Sequence, residues 1–356
     1  MYGDGKQSSE HEDTYSVMTI FQQIDFEFVN SIVGIKKRGR KGYTPKVLFL
    51  CLLLMYLQQI SSINRLIIKL QHNLELARAI GLPIKNGKPQ VPDRTTFTKF
   101  LDRIGPLKFL EIFLAMAAKL IEAKIITGEE IAIDCTLIKA WCNVYRKQKS
   151  DKQARWGYQH RESGKVIWIY GYKVHIIVDA KTDLPIAFKV TPANQSEGKL
   201  LIPMLQQIQQ LSLNIKRVLA DAAYDYNTNR KAIIEYFKAI AIIAINTRNC
   251  KGKNEKEKKE RRIKRLKKWY RKNNLQSYFL DPKSQGFKTY YKKRSSSERN
   301  HSNGKGELRL NDLKWQGLER ATIHASLSLT ARLAVALTAA QVGRTDLINS
   351  PKCFTA

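Results

Sequence analysis

The chain has 356 residues, 43% of them hydrophobic, enough for two domains and at least one sizeable core. Its 62 Lys and Arg stand against 31 Asp and Glu, and the net charge of +31 points to a polyanionic partner, nucleic acid before all others. The longest apolar run, Leu48 to Leu57, is about half a transmembrane length, so it reads as a buried helix and no membrane partner is expected.

Five scattered cysteines (Cys51, Cys135, Cys142, Cys250, Cys353) form no CxxC pair, which argues against a structural zinc site and for reduced thiols in a cytoplasm. Residues 1–15 are polar and acidic, without the basic start and apolar middle of a secretory leader.

Residues 1–30 read as a polar tail ending in a short helix. From 31 to 122 the pattern is helical. Apolar residues recur through 45–82, and Asp93 in "VPDRTTFTKF" is placed to cap a helix that turns Phe97, Phe100 and Leu101 inward. Short helices with surplus Lys and Arg suit an all-α N-terminal DNA-binding domain; the plainer alternative is a helical bundle that touches no groove. Another helix, "PLKFLEIFLAMAAKLIEAK", leads into strand-like sequence.

"EEIAIDCTLIKA" alternates and is β-branched. "YGYKVHIIVDAKTDLPIAFKVTPAN" predicts a hairpin whose turn, 179–185, is rich in turn residues, Asp179 and Asp183 among them. "SEGKLLIPMLQQIQQL" follows as an amphipathic helix, "IKRVLADAAYD" as a buried strand, "NTNRKAIIEYFKA" as a helix and "IAIIAIN" as a last strand. Three strands, helix, strand, helix, strand is the order of a ribonuclease H-like α/β fold with a mixed sheet. This catalytic domain is expected over 123–345, with a basic insertion at 246–289 and a C-terminal tail at 346–356. The polar stretch 142–165, flanked by Trp141, Trp156 and Trp168, reads either as a DNA-contacting loop or as a flexible one. Residues 251–272 form a charge run, by default a solvated helix or loop. Its place inside the domain favours a DNA-contacting arm, with Lys267 and Lys268 on phosphates and Trp269 and Tyr270 free to stack on bases.

Asp134 sits mid-strand among apolar neighbours, where a charge is costly and the residue type opposes propensity. Asp221 ends the fourth strand, and strand C-termini are where open α/β sheets place their sites. In a ribonuclease H-like sheet the two strands are neighbours, so the acids face each other and their repulsion asks for a cation. A third acid is expected from a helix on the same sheet. Tyr291, Arg294, Glu298 and Lys305 are spaced by three, seven and fourteen from the first. At 100° per residue these offsets fall near 300°, 340° and 320°, one narrow face carrying a phenol, two cations and an acid. Three carboxylates suit hard divalent cations, Mg²⁺ or its substitute Mn²⁺, and a pair of such ions serves phosphodiester chemistry, while Arg294 and Lys305 hold phosphates. Asp225 is a rival second acid but reads better as a cap for the helix at Asn227. Glu307 falls off the stripe. His175 reads as a satisfied core histidine. The run Ser302–Asn303–Gly304 predicts a helix end near His301.

Residues 291–305 fit the pattern Y-(2)-R-(3)-E-(6)-K at every position, and the chain resembles the DDE transposases of bacterial and archaeal insertion sequences, the groups numbered four and five. "AIDCTLIKA" resembles their first-aspartate motif, "VLADAAYDYNTNR" their second, and "PDRTTFTKF" the N-terminal helical region of group five; the likeness spans roughly residues 40–340. The resemblance implies that Asp134, Asp221 and Glu298 are the catalytic, metal-binding triad. It implies a cytoplasmic, nucleoid-associated enzyme that binds terminal inverted repeats, cuts double-stranded DNA and joins the 3′ ends to target DNA. Because two ends must be joined together, a homodimer is expected on DNA. A transposase-derived regulator that grips DNA without cutting, or another ribonuclease H-like nuclease, are the alternatives; all three acids being present argues against the first, and the Arg/Lys stripe with the basic insertion against the second.

Overall fold

The computed structural model describes residues 15–35, 42–160 and 165–354; the first fourteen residues of the expected polar tail and the last two of the chain lie outside these. Two short helices, α1 (Val17–Gln23) and α2 (Glu27–Val33), open the described chain and bury Val17, Ile20, Phe21 and Val29. In α3 (Pro45–Leu57), Thr44 caps the helix by accepting from the Val47 N–H, and Pro45 starts it where a missing N–H costs nothing. Every residue from Val47 to Leu57 is buried, so the apolar run is a core helix, as its length predicts. Then come α4 (Ile63–His72), α5 (Leu74–Ile80) and a small hairpin of β1 (Ile84–Lys85) and β2 (Lys88–Pro89). Asp93 caps α6 (Arg94–Glu122) through the Thr96 N–H at 2.6 Å, and Gly105, at φ +67°, kinks it just before Pro106.

The sheet contains β3 (Glu130–Lys139), β4 (Arg155–His160), β5 (Val166–Asp179), β6 (Pro185–Pro192), β7 (Arg217–Ala220) and β8 (Ile240–Ile243). Across its core the order is β6–β5–β3–β7–β8. The β5 pairings with β3 and β6 are antiparallel, and those of β7 with β3 and β8 are parallel. With β4 set aside, the chain order of strands and helices is the one expected above, and β3 and β7 are neighbours. Helix α7 (Leu201–Gln209) links β6 to β7 and α8 (Asn227–Phe237) links β7 to β8. β4 was not foreseen: residues 155–160 form a strand on the outer half of β5 rather than a loop.

The chain continues as α9 (Glu255–Lys272), α10 (Gln285–Lys292), α11 (Ser295–Glu307) and α12 (Leu318–Gln341). α12 is long and apolar enough to cross a bilayer, yet 94% of its apolar window is buried. It packs on α3, α6 and β6, with Tyr56 Oη 2.8 Å from His324 Nδ1. One contiguous hydrophobic cluster runs from Val17 to Phe354, so the N-terminal helices and the sheet share a core.

Candidate active site

Asp134 lies midway along β3, opposite Ile176 of β5. On its other side the parallel ladder to β7 ends at Ile133–Ala220, so the next residues of the two strands are Asp134 and Asp221. β7 stops there because Asp221 accepts the Ala223 N–H at 2.8 Å and caps a single 3₁₀ turn, 222–224. Asp134 accepts the Cys135 N–H at 2.8 Å with one oxygen and Arg294 Nη1 at 3.2 Å with the other. Burial raises the Asp134 carboxyl to about 7; the Cys135 N–H and Arg294 oppose the rise, while Asp221 and Glu197 add to it. Asp221 is raised by burial too, with Glu197 adding to the shift.

The other side of the site comes from the 285–307 segment. The expected single helix is two: α10 ends at Lys292, and the chain tightens into i→i+3 bonds, Arg294 N–H to Tyr291 O and Ser297 N–H to Arg294 O, before α11. The face survives this break, because residues 293 and 294 keep right-handed helical angles. Arg294 therefore reaches Asp134 with one arm and Glu298 with the other, its guanidinium carbon 5.9 Å from the Tyr291 ring centroid. Tyr291 is half-buried, stacked on Phe287 at 5.9 Å. Lys305 is also half-buried; burial lowers its pKa, and it has no ion-pair partner among the described residues. α11 does not end at His301 but runs to Glu307. Its sequence, rich in Ser, Asn and Gly, has weak intrinsic helicity. Tertiary contacts supply the order: Ser296, Ser297, Asn300 and Gly304 are buried, and the helix packs on β3 and β5. Arg299 grips Asp183 with two bonds of 2.6 and 2.8 Å, and Asn300 donates to the Asp183 carbonyl at 2.8 Å. Asp183 is thus a turn residue, at φ +61°, that also anchors the Glu298 helix.

Several expectations need correction. Asp225 does not cap α8: it is buried, paired with Arg230 at 3.0 Å and Arg262 at 2.9 Å, and accepts the Asn246 N–H. Burial tends to raise its pKa, but Arg230 and Arg262 hold it below the usual value. Tyr270 is not free to stack on bases, being 2% exposed in a second cluster with Ile234 and Leu266. Trp269 is half-buried at 5.0 Å from the Tyr270 ring, while Lys267 and Lys268 are exposed on the outer side of α9. His175 is buried but only half satisfied: Nε2 meets Thr191 Oγ1 at 3.0 Å and Nδ1 has no partner among the described residues. Glu307 lies 4.0 Å from Lys352.

Two further residues carry no plain sequence signal. Glu197 reads as the first turn of an amphipathic helix, yet it pairs with Lys173 at 2.6 Å and sits in the field of both aspartates. Its segment is clamped to the Asp221 turn by Asn229, which donates to the Gly198 and Tyr224 carbonyls at 2.8 and 3.0 Å. A Cβ at Gly198 would stand 2.2 Å from Tyr226 and 2.5 Å from the Ala223 carbonyl, so only glycine allows the approach. His301 lies on the Glu298 face of α11, buried, with neither ring nitrogen partnered among the described residues. Burial, with Lys305, Arg294 and His175 adding to it, lowers its pKa to about 3, so it stays neutral near pH 7. Its spacing of three from Glu298 and four from Lys305 was the available signal.

Among the described residues no three His, Cys, Asp or Glu side chains converge closely enough to hold a metal as they stand. The donor set nonetheless suits a hard divalent ion. One carboxylate lies midway along β3 and a second follows the end of the adjacent β7, a third is 57% exposed, and the Arg294 guanidinium bridges Asp134 and Glu298 where positive charge is demanded.

The chain matches known families. The family described as Transposase DDE domain matches residues 127–334, more than half of the chain, and Transposase domain (DUF772) matches residues 5–103. Among solved structures, the piggyBac transposase synaptic complex with hairpin DNA aligns at 10% identity over 94% of this chain and 82% of that one, with a TM-score of 0.34. The Mos1 transposase paired-end complex with left transposon end aligns at 12% identity over 75% of this chain and 80% of that one, with a TM-score of 0.21. On the family matches, the chain belongs to the DDE-domain transposases, enzymes of DNA cleavage and strand transfer.

Proposed function

We propose that the protein binds the terminal inverted repeats of an insertion sequence of group four or five, cuts the DNA there and joins the ends to a target, acting in the cytoplasm on the nucleoid. Asp134, Asp221 and Glu298 would hold the divalent metal, Mg²⁺ with Mn²⁺ as substitute, as two ions. The observation that carries this reading is the pair Asp134 and Asp221, the next residues past the last β3–β7 pairing, with Arg294 spanning Asp134 and Glu298. When bound, such ions activate the attacking oxygen and stabilise the leaving oxygen of a phosphodiester.

The remaining work belongs to the chain itself. Arg294, released from the carboxylates, has a planar fork suited to a phosphate beside the scissile bond. Lys305 offers a half-buried charge to the same strand, and its partial desolvation strengthens that attraction. Tyr291 holds Arg294 from behind and lines the site. Away from it, Lys267 and Lys268 on α9 meet phosphates, with the edge of Trp269 beside them. The N-terminal helices 31–122 grip the repeat, and a homodimer brings two ends together.

The test is a cleavage assay on DNA carrying the element's own ends. Asp134→Asn abolishes Mg²⁺-dependent cutting and leaves DNA binding near that of wild type, because one ligand charge is lost and the phosphate-gripping surface is untouched. Robust cutting by this variant overturns the assignment.

A further inference from the structure

Past Gly171, the last residue paired with β3, strand β5 keeps one bond on that side, from the Ala140 N–H to the Tyr170 carbonyl at 3.0 Å, and among the described residues is otherwise laddered with β4 alone, the two forming a ribbon that extends from the sheet. Trp156 pairs with Tyr170 and Tyr158 with Trp168, and directly opposed residues of an antiparallel pair share a face. The four rings therefore make one ladder, with centroids 5.5 Å apart in each pair. Trp168 is 61% exposed, Tyr158 48% and Trp156 44%. On the opposite face a Cβ at Gly157 would stand 2.7 Å from the Ala193 carbonyl, so the ribbon meets the body at that point while the ring side stays open to water. Three large rings open to water on one ribbon are an exposed apolar patch, which marks a contact surface.

The surrounding charge says what the contact is. Residues 139–160 carry Lys139, Arg146, Lys147, Lys149, Lys152 and Arg155. The single acid of that stretch, Asp151, is 1% exposed and fully used: it accepts the Tyr172 hydroxyl and the N–H groups of Gln153, Ala154 and Gly317. Lys149 Nζ sits 5.5 Å over the Tyr170 ring. Aromatic faces interleaved with cations, with no exposed acid among the described residues of 139–160, suit a polyanion that offers π-faces, which is a nucleic acid with its bases unstacked.

The position narrows it further. Asp134 is opposite Ile176, six residues along β5 from Tyr170 and eight from Trp168. At about 3.4 Å per residue the ladder begins roughly 20 Å from the acids and reaches roughly 27 Å, some six to eight base-pair steps of DNA. We propose that the ring ladder of the β4–β5 ribbon is a stacking surface for unpaired nucleotides of the DNA substrate, holding a strand splayed away from the point of cutting. The proposal rests on DNA being the substrate and not on the assignment of the metal ligands.

The full chain is titrated, without divalent metal, against a fluorescein-labelled thymidine oligonucleotide and a duplex of equal length, with binding read by fluorescence anisotropy at one salt concentration. Replacing both Trp156 and Trp168 by Ala weakens single-strand binding by at least tenfold and leaves duplex binding within about twofold. Replacing both by Phe, which keeps the π-faces, retains most of the single-strand affinity. If the alanine pair fails to fold, Trp168→Ala alone reads the same quantity at the most exposed ring. Unchanged single-strand affinity overturns the proposal, as does an equal loss on both DNAs. So does a change of oligomeric state with DNA affinity intact, which would make the ribbon an interface between copies of the chain. Because no metal is present, none of these outcomes depends on Asp134, Asp221 or Glu298.

Discussion

Asp134 carries a cost that the fold does not remove. Its carboxyl titrates near 7 in the folded chain against an ordinary value of 3.8, mainly because it is buried. For an acid raised on folding, the penalty is absent below the unfolded value, grows between the two values and is complete above the folded one. Asp134→Asn is therefore expected to raise the melting temperature of the metal-free protein by a few degrees at pH 8, and by less at pH 5. Thermal unfolding followed by circular dichroism at the two pH values checks this, and a larger gain at the acidic pH would contradict it. Glu298 and Glu307 give a second contrast. Glu298→Gln is expected to abolish strand joining, since it faces Asp134 through Arg294, whereas Glu307→Gln, beside Lys352, stays close to wild type. Arg294→Ala falls between, giving up a charge-assisted bond to phosphate while the carboxylates remain. The two aspartates were legible because a charge inside or at the end of a β-branched strand breaks the pattern around it. Glu197 was not, since nothing local distinguishes it from an ordinary first-turn glutamate; only the Asn229 clamp and the Gly198 approach, both long-range, bring it to the site.

At the scale of elements, α9 shows how composition misleads. A run of Lys and Arg reads as a solvated arm, and half of it is one. The other face buries Ile263, Leu266 and Tyr270 and sends Arg262 to the buried Asp225. The two faces are expected to separate in experiment. Replacing Lys267 and Lys268 together by Glu flattens the salt dependence of DNA binding, by about 0.9 in the log–log slope for each phosphate no longer neutralised, and leaves the melting temperature nearly unchanged. Arg262→Ala instead destabilises the fold by about 2 kcal/mol, less than a fully broken buried pair because Arg230 still faces Asp225. Equal stability losses from both changes would show that the faces are not distinct. α11 is the complementary case. Its composition is poor for a helix and has no apolar stripe, so periodicity misplaces its end; small buried residues and the Arg299–Asp183 grip make it a helix. β4 escaped for a related reason: Gly157 and the polar residues around it blur the alternation, and its pairing with β5 is what fixes it as a strand.

In the whole molecule the N-terminal helices and the mixed sheet are joined through α12, whose apolar length serves as the shared spine of one core. The order of strands and helices along the chain, β4 apart, could be read from the alternation of their signals, but the joint core could not, since which faces of α3, α6 and β6 meet α12 depends on long-range packing. A fragment starting at residue 123 would expose the face of α12 that α3 and α6 cover, so it is expected to aggregate or to lack a cooperative transition, as judged by size-exclusion chromatography and thermal melting. The central claim is that Asp134, Asp221 and Glu298 hold the metal with which this transposase cuts DNA. The most direct measurement is cleavage of inverted-repeat DNA by Asp134→Cys and Asp221→Cys in Mg²⁺ and in Mn²⁺, since a thiolate is a poor ligand for Mg²⁺ and a better one for Mn²⁺. The account predicts that both variants are inactive in Mg²⁺ and regain cutting in Mn²⁺, with DNA affinity unchanged throughout; wild-type rates for either variant in Mg²⁺ would contradict it.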